Sequence, residues 1–146
     1  MKERIKIREI TLSDAEAIHK IREAITADDA DIDSRKLIEH QVKKKQGKSS
    51  LAAEVNGNVA GYMISTTLYA GFGMKKSAWI MAIGVHPDYM GQGIGLALAR
   101  EICEIYKDEG VSHIYSSVRW DSTDVLSFFK KLGFERSEFI NLKKKL

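Results

Sequence analysis

Between residues 77 and 95 the chain passes from an almost unbroken apolar run, through a proline turn, into three alternating glycines. The run from Ser77 to Val85 carries no charged side chain, which suits a strand covered on both faces. Pro87, the only proline, has no N–H for a sheet ladder and marks where that strand must end. Gly91, Gly93 and Gly95 then give the backbone access to positive φ and let a ligand approach the main chain. A helix follows, with Leu98, Ile102 and Ile105 on one face. Its first N–H groups lack helical acceptors and sit at the positive end of the helix dipole. Strand, glycine turn and helix start in this order make a seat for phosphate or pyrophosphate, although a tight turn without a ligand would use the same residues. Spacing excludes two familiar phosphate motifs. A dinucleotide fingerprint needs a third glycine at relative position six, where Leu96 or Leu98 stands, and no Gly-Lys-Ser/Thr follows for a Walker loop.

Periodicity organises the rest. Arg4 to Ile10 alternates through Ile5 and Ile7 as a half-buried first strand. Ser13-Asp14-Ala15-Glu16 reads as a capping box opening a helix to about Ala24, with Ile18, Ile21 and Ile25 as its apolar stripe. A loop carrying Asp28, Asp29, Asp31 and Asp33 leads to a second helix from Ser34, with Leu37, Ile38 and Val42 facing inward and Gly47 as its stop. The period then changes to two. Ser50 to Val55 and Val59 to Thr67 flank Asn56-Gly57, a strong hairpin signal, and Tyr69 to Lys76 reads as a mobile loop. Gly110 closes the helix after the glycine turn, and Ser112 to Val118 is the next strand. Ser122 caps a last helix holding Val125, Leu126, Phe129 and Leu132, and Phe134 to Leu142 reads as a final strand. The order is β-α-α-β-β-β-α-β-α-β, one domain over residues 1–146.

Composition narrows the function classes. With 146 residues, 44% of them hydrophobic, the chain is large enough to fold without disulfides or metal. No apolar run approaches the roughly 20 residues that cross a bilayer, and Lys2, Glu3 and Arg4 put charges where a signal peptide needs an apolar region. A lone Cys103 forbids an internal disulfide, so a soluble, cytoplasmic protein is expected. The net charge of +3 is too small for a nucleic-acid binder, and the lysine runs 43–45 and 143–145 read as solvated ends. His19, His40, His86 and His113 show no metal-ligand spacing, so no metal is expected.

The stretch from Val85 to Leu96 resembles motif A of the GNAT N-acetyltransferase superfamily, Arg/Gln-x-x-Gly-x-Gly/Ala after a strand ending Val-x-Pro. Asp121 to Phe134, ending Phe129-Lys130-Lys131-Leu132-Gly133-Phe134, resembles its motif B. The separation of the motifs and the order of elements match too, so the resemblance spans essentially the whole chain. It implies an α/β (α+β) fold with a mixed, mostly antiparallel sheet of six to seven strands, splayed between strands 4 and 5 and flanked by about four helices. It also implies acetyl-CoA as acyl donor. The pyrophosphate would sit on the amides of Gly91, Gln92, Gly93, Ile94, Gly95 and Leu96, and the pantetheine arm would pair with the main chain at Ile83 and Val85, a form of strand addition. Ser122 and Phe129 fall at further cofactor-contacting positions.

The chain departs from the family pattern in four places. Met90 replaces arginine or glutamine, Ser122 replaces asparagine, Phe129 replaces a tyrosine that protonates the leaving thiolate, and the segment after motif B is short for two strands. A phenyl ring has no proton to give. General acid catalysis contributes about 10²–10⁴-fold, so its loss slows transfer without forbidding it, and Tyr89, Tyr115 or a water on Ser122 are other proton sources. Asp121 and Glu23 are the base candidates, and the Val85 N–H is the expected oxyanion contact. The expected reaction is direct acetyl transfer to an amine, with Cys103 placed mid-helix and unsuited to a covalent route. The aspartate loop favours a cationic acceptor, such as a polyamine or a peptide amine. A non-catalytic acyl-CoA binding module is the alternative, and a homodimer is left open.

Overall fold

The computed structural model describes residues 4–25, 34–43, 49–68 and 76–146. The aspartate loop, the stop at Gly47, most of the 43–45 lysine run and most of the expected 69–76 loop lie outside the described residues. Two compact units divide the chain, residues 1–115 and 116–146.

Alternation in the first unit builds the sheet. Strands β1 (Ile5–Glu9), β2 (Ser50–Val55), β3 (Asn58–Leu68), β4 (Ser77–Val85) and β5 (Ile114–Ser116) lie side by side in chain order. The first three pairings are antiparallel. Asn56 and Gly57, with φ of 52° and 81°, both occupy the left-handed region that a tight β2–β3 turn demands. β5 returns through a helical crossover, and the Ala78 N–H donates to the His113 carbonyl at 3.2 Å, bringing the starts of β4 and β5 together. The sheet is therefore mixed.

Helices cover both faces. α1 (Ala15–Ile25) and α2 (Ser34–Lys43) close over one, where Ile18, Ile21 and Ile38 meet Ala52, Tyr62 and Ile64 in a buried cluster. α3 (Ile94–Asp108) lies on the other, with Ile94, Leu98, Ala99, Ile102 and Tyr106 buried at helical spacing. Gly61 makes that approach close: a Cβ there would stand 2.9 Å from Ile94 Cγ2 and 3.0 Å from the Gly84 carbonyl oxygen. Further along α3 the Tyr106 hydroxyl shares a hydrogen bond of 2.8 Å with Ser65 Oγ, which also donates to the Ser49 carbonyl. At the start of β4, Trp79 stacks on Tyr115 of β5 with ring centroids 5.0 Å apart, and its buried Nε1 has no hydrogen-bond partner among the described residues.

The start of α1 differs from the expected Ser13/Glu16 box. A short 3-10 turn, Leu12–Asp14, precedes the helix, and the Thr11 N–H donates to Asp14 Oδ2 at 2.8 Å. Arg8 selects this arrangement. Its guanidinium grips Asp14 through two bonds of 2.7 and 2.8 Å and reaches Glu54 on β2 at 2.6 Å, so β1, β2 and the helix start share one ion. Burial pushes the Asp14 carboxyl up, but hydrogen bonds from Arg8 and Thr11 and the Arg8 charge bring it below its ordinary value.

The second unit holds α4 (Thr123–Lys131), ended by a turn in which the Gly133 N–H donates to the Lys130 carbonyl. Phe129 is buried, edge-on to Phe128 at 5.2 Å and to Phe134 at 4.9 Å. The expected final strand does not form: no strand is present among residues 134–146, and the described sheet has five strands instead of six or seven. Alternation supplies a face and not a partner, and Ile140 and Leu142 are 77% and 88% exposed. The expected Ser112–Val118 strand likewise shortens to Ile114–Ser116.

Two outcomes follow from this packing. Asp14→Asn is expected to cost about 2 kcal/mol in denaturant unfolding, because Arg8 keeps its charge and loses its bidentate partner. The Asp14 carboxyl is depressed in the folded state, so its stabilisation is present above the ordinary value of 3.8 and is lost as pH falls through the lower folded value. The variant should lack that acid-limb loss, and parallel pH–stability curves for the two proteins would contradict the assignment. Gly61→Ala should lower stability by about 1–3 kcal/mol, because backbone as well as side chain must give way. An unchanged melting temperature would mean that α3 is free to lift.

Candidate functional site

The geometry that matters lies in β4 and the turn that follows. Ile64 pairs with Ala82 and Ser65 with Ile80, which leaves Met81 as an extra residue, a β-bulge, with its side chain 59% exposed. The bulge shifts the phase of the main chain. Before it, the Ala78 N–H points toward β5; after it, the His86 N–H donates to the Ala60 carbonyl at 2.8 Å, toward β3. Alternation then directs the main-chain groups of Ile83 and Val85 away from β3. Three residues of β5 reach only about 10 Å along β4 from its start, so β5 does not consume those groups.

Beyond Val85 the chain makes a 3-10 turn, Pro87–Tyr89, in which the Tyr89 N–H donates to the His86 carbonyl at 2.9 Å and the Met90 N–H to the Pro87 carbonyl at 3.3 Å. Gly91 and Gly93 follow with φ of 83° and 79°, where a side chain would be strained although space is open around both. Gly93 is the N-cap of α3, and the Ala97 N–H makes the first helical bond, to its carbonyl at 3.0 Å. The N–H groups of Ile94, Gly95 and Leu96 precede that ladder. Gly95 therefore belongs to the first helical turn, so two of the three glycines make the bend and the third opens the helix. No acidic side chain stands in that turn to oppose an anion. The main-chain groups of Ile83 and Val85 on one side of the Pro87–Tyr89 turn, and the N–H groups of Ile94, Gly95 and Leu96 on the other, are thus left open by the β3–β4 ladder and the helix.

The catalytic candidates are more dispersed. Glu23, on α1, places its Oε1 2.7 Å from Nε2 of His19, one turn earlier. α1 packs against β4 and against the Pro87–Tyr89 turn. Asp121, in the second unit, is gripped by Arg119 through two bonds of 3.0 and 2.9 Å. The Arg119 hydrogen bonds and charge hold its carboxyl below the usual range, which makes it a weaker proton acceptor. Ser122 is the N-cap of α4, but its hydroxyl makes no capping bond. Phe129 is a core aromatic of its own unit. Cys103 is half-buried in α3, and burial first, then Glu104, push its thiol up, so it stays protonated at neutral pH. Sequence reasoning missed His19 and Arg119 as partners of the two carboxylates. The four-residue spacing of His19 and Glu23 on one helix was the available signal.

The chain is similar to several solved structures. A ribosomal-protein-alanine N-acetyltransferase from Brucella melitensis biovar Abortus 2308 is 17% identical, with a TM-score of 0.77 over 98% of this chain and 99% of that one. An aminoglycoside N-acetyltransferase, AAC(6')-Iy, solved in complex with CoA, is 17% identical, with a TM-score of 0.78 over 99% and 97%. A transcriptional regulator from Bacillus halodurans C-125 is 25% identical, with a TM-score of 0.74 over 98% and 100%. These likenesses establish the fold. Residues 13–134, which include the glycine turn and the last helix, match the acetyltransferase (GNAT) family, and the chain belongs to that family.

Proposed function

We propose that this acetyltransferase transfers the acetyl group of acetyl-CoA directly to an amine. The observation that carries the reading is the order of two open main-chain segments along the chain. The Ile83 and Val85 groups turned away from β3 come first, and beyond the Pro87–Tyr89 turn come the Gly91–Gly93 bend and the open N–H groups of Ile94, Gly95 and Leu96. A pantetheine arm takes strand pairing and a pyrophosphate takes amides at a helix start, in that order along one molecule. When bound, acetyl-CoA supplies the thioester carbonyl. Val85 offers an N–H on the same edge for the charge that develops on its oxygen. CoA in the AAC(6')-Iy structure supports the choice of donor.

An ammonium has no lone pair, so a base must act before the amine attacks. Glu23 is favoured over Asp121, both of whose oxygens Arg119 holds and whose affinity for a proton Arg119 lowers. The four aspartates in the sequence between α1 and α2 favour a cationic acceptor, and aminoglycosides and peptide amines belong to that class. Phe129 and Met90 support a second reading, a module that binds acyl-CoA without turnover.

Incubation with acetyl-CoA and a panel of polyamines, lysine peptides and aminoglycosides separates the two. Acceptor-dependent release of free thiol is expected, whereas tight CoA binding with no release across the panel would favour the module. With an acceptor in hand, Glu23→Gln should lower kcat by about 10²-fold or more at neutral pH, while Asp121→Asn should change it little. The reverse ranking would move the base to the second unit.

A further inference from the structure

We propose that His86 is a positioning residue, whose ring nitrogen sets the aim of the glycine loop toward the donor's pyrophosphate. The inference rests on reading that loop as the pyrophosphate seat. His86 anchors the turn in three ways. Its N–H donates to the Ala60 carbonyl on β3 at 2.8 Å, its carbonyl accepts from the Tyr89 N–H at 2.9 Å, and its Nδ1 accepts from the Asp88 N–H at 3.1 Å. The ring also lies edge-on to Tyr89, with centroids 6.2 Å apart, and its Nδ1 is 3.7 Å from Asp88 Oδ2.

The first two anchors are main chain and survive any substitution. The third is a side-chain cap. Pro87 has no N–H, so the Asp88 amide is the first of the turn that needs an acceptor, and His86 supplies it. Only Met90 separates the turn from Gly91, where the chain bends at positive φ. A turn that loses its cap therefore reorients directly into the loop. Upstream, β4 is held by its ladder to β3 and does not depend on the cap. The residue should act on the phosphate end of the donor and leave the pantetheine end alone.

The test compares wild type, His86→Phe, His86→Ala and His86→Asn, with CoA and pantetheine as probes. His86→Phe keeps a ring against Tyr89 and removes the acceptor, so it remains informative where His86→Ala fails to fold. Calorimetry gives the Kd for CoA, and displacement of CoA gives the Kd for pantetheine, which has no pyrophosphate. Losing the cap should raise the CoA Kd about fivefold with pantetheine unchanged, and Asn, a good capping residue, should restore most of the affinity. Equal CoA affinities in wild type and His86→Phe would overturn the proposal. So would parallel losses for CoA and pantetheine, or an Asn variant no better than Phe. A wild-type chain that binds pantetheine but gains nothing from the pyrophosphate overturns the reading of the loop itself, and this inference with it.

Discussion

A β-strand has two edges of main-chain donors and acceptors, and each must find partners or face solvent. β4 gives one edge to β3 along nearly its whole length and the other to β5 only near its start. The bulge at Met81 decides which residues present themselves on the remaining stretch. With one extra residue in the strand, Ile83 and Val85 turn away from β3; without it, their neighbours would. The side chains of Ile83 and Val85 are apolar and half-buried, so the strand packs through its side chains, and in the proposed function it recognises the donor through its backbone. This division explains how an apolar sequence holds a polar site.

The glycine loop inherits its position from that strand and from the helix behind it. Gly61 lets the first turn of α3 settle against β3, so the open amides sit at the end of β4 and not a side-chain width away. The Arg8 cluster performs a comparable task on the opposite face, where it ties the start of α1 to two strands. In the proposed function, donor recognition is built from backbone on rigid elements, while the candidate groups for proton transfer are side chains near the surface. Such a separation permits one donor to be served to many acceptors, because altering the second set leaves the first intact.

Much of this was legible in the residues. The Asn56-Gly57 turn, the apolar β4, the proline stop and the glycine spacing each carry a local physical requirement that few other residues meet, and each appears where the pattern puts it. What was not legible depends on pairing in space. No letter marks Met81 as the extra residue, since its effect exists only against the register of β3. Ser13 and Glu16 have the right spacing for a capping box, but Arg8 on β1 pulls the start two residues earlier through Asp14. The stretch after Gly133 alternates as a strand would and forms none. Arg119 and Asp121, two residues apart, share one face of an extended chain, and that signal for their pairing was passed over.

The two tryptophans stand in opposite surroundings. Trp120 is 87% exposed, whereas Trp79 lies on Tyr115 with its indole N–H buried. Indole emission shifts to the red in water, and a small dissolved quencher reaches an open ring before a covered one. The chain therefore carries two intrinsic fluorophores that colour and quenching can tell apart. The shielded one belongs to β4, so the strand that carries the proposed donor site reports its own state by its light, without any label.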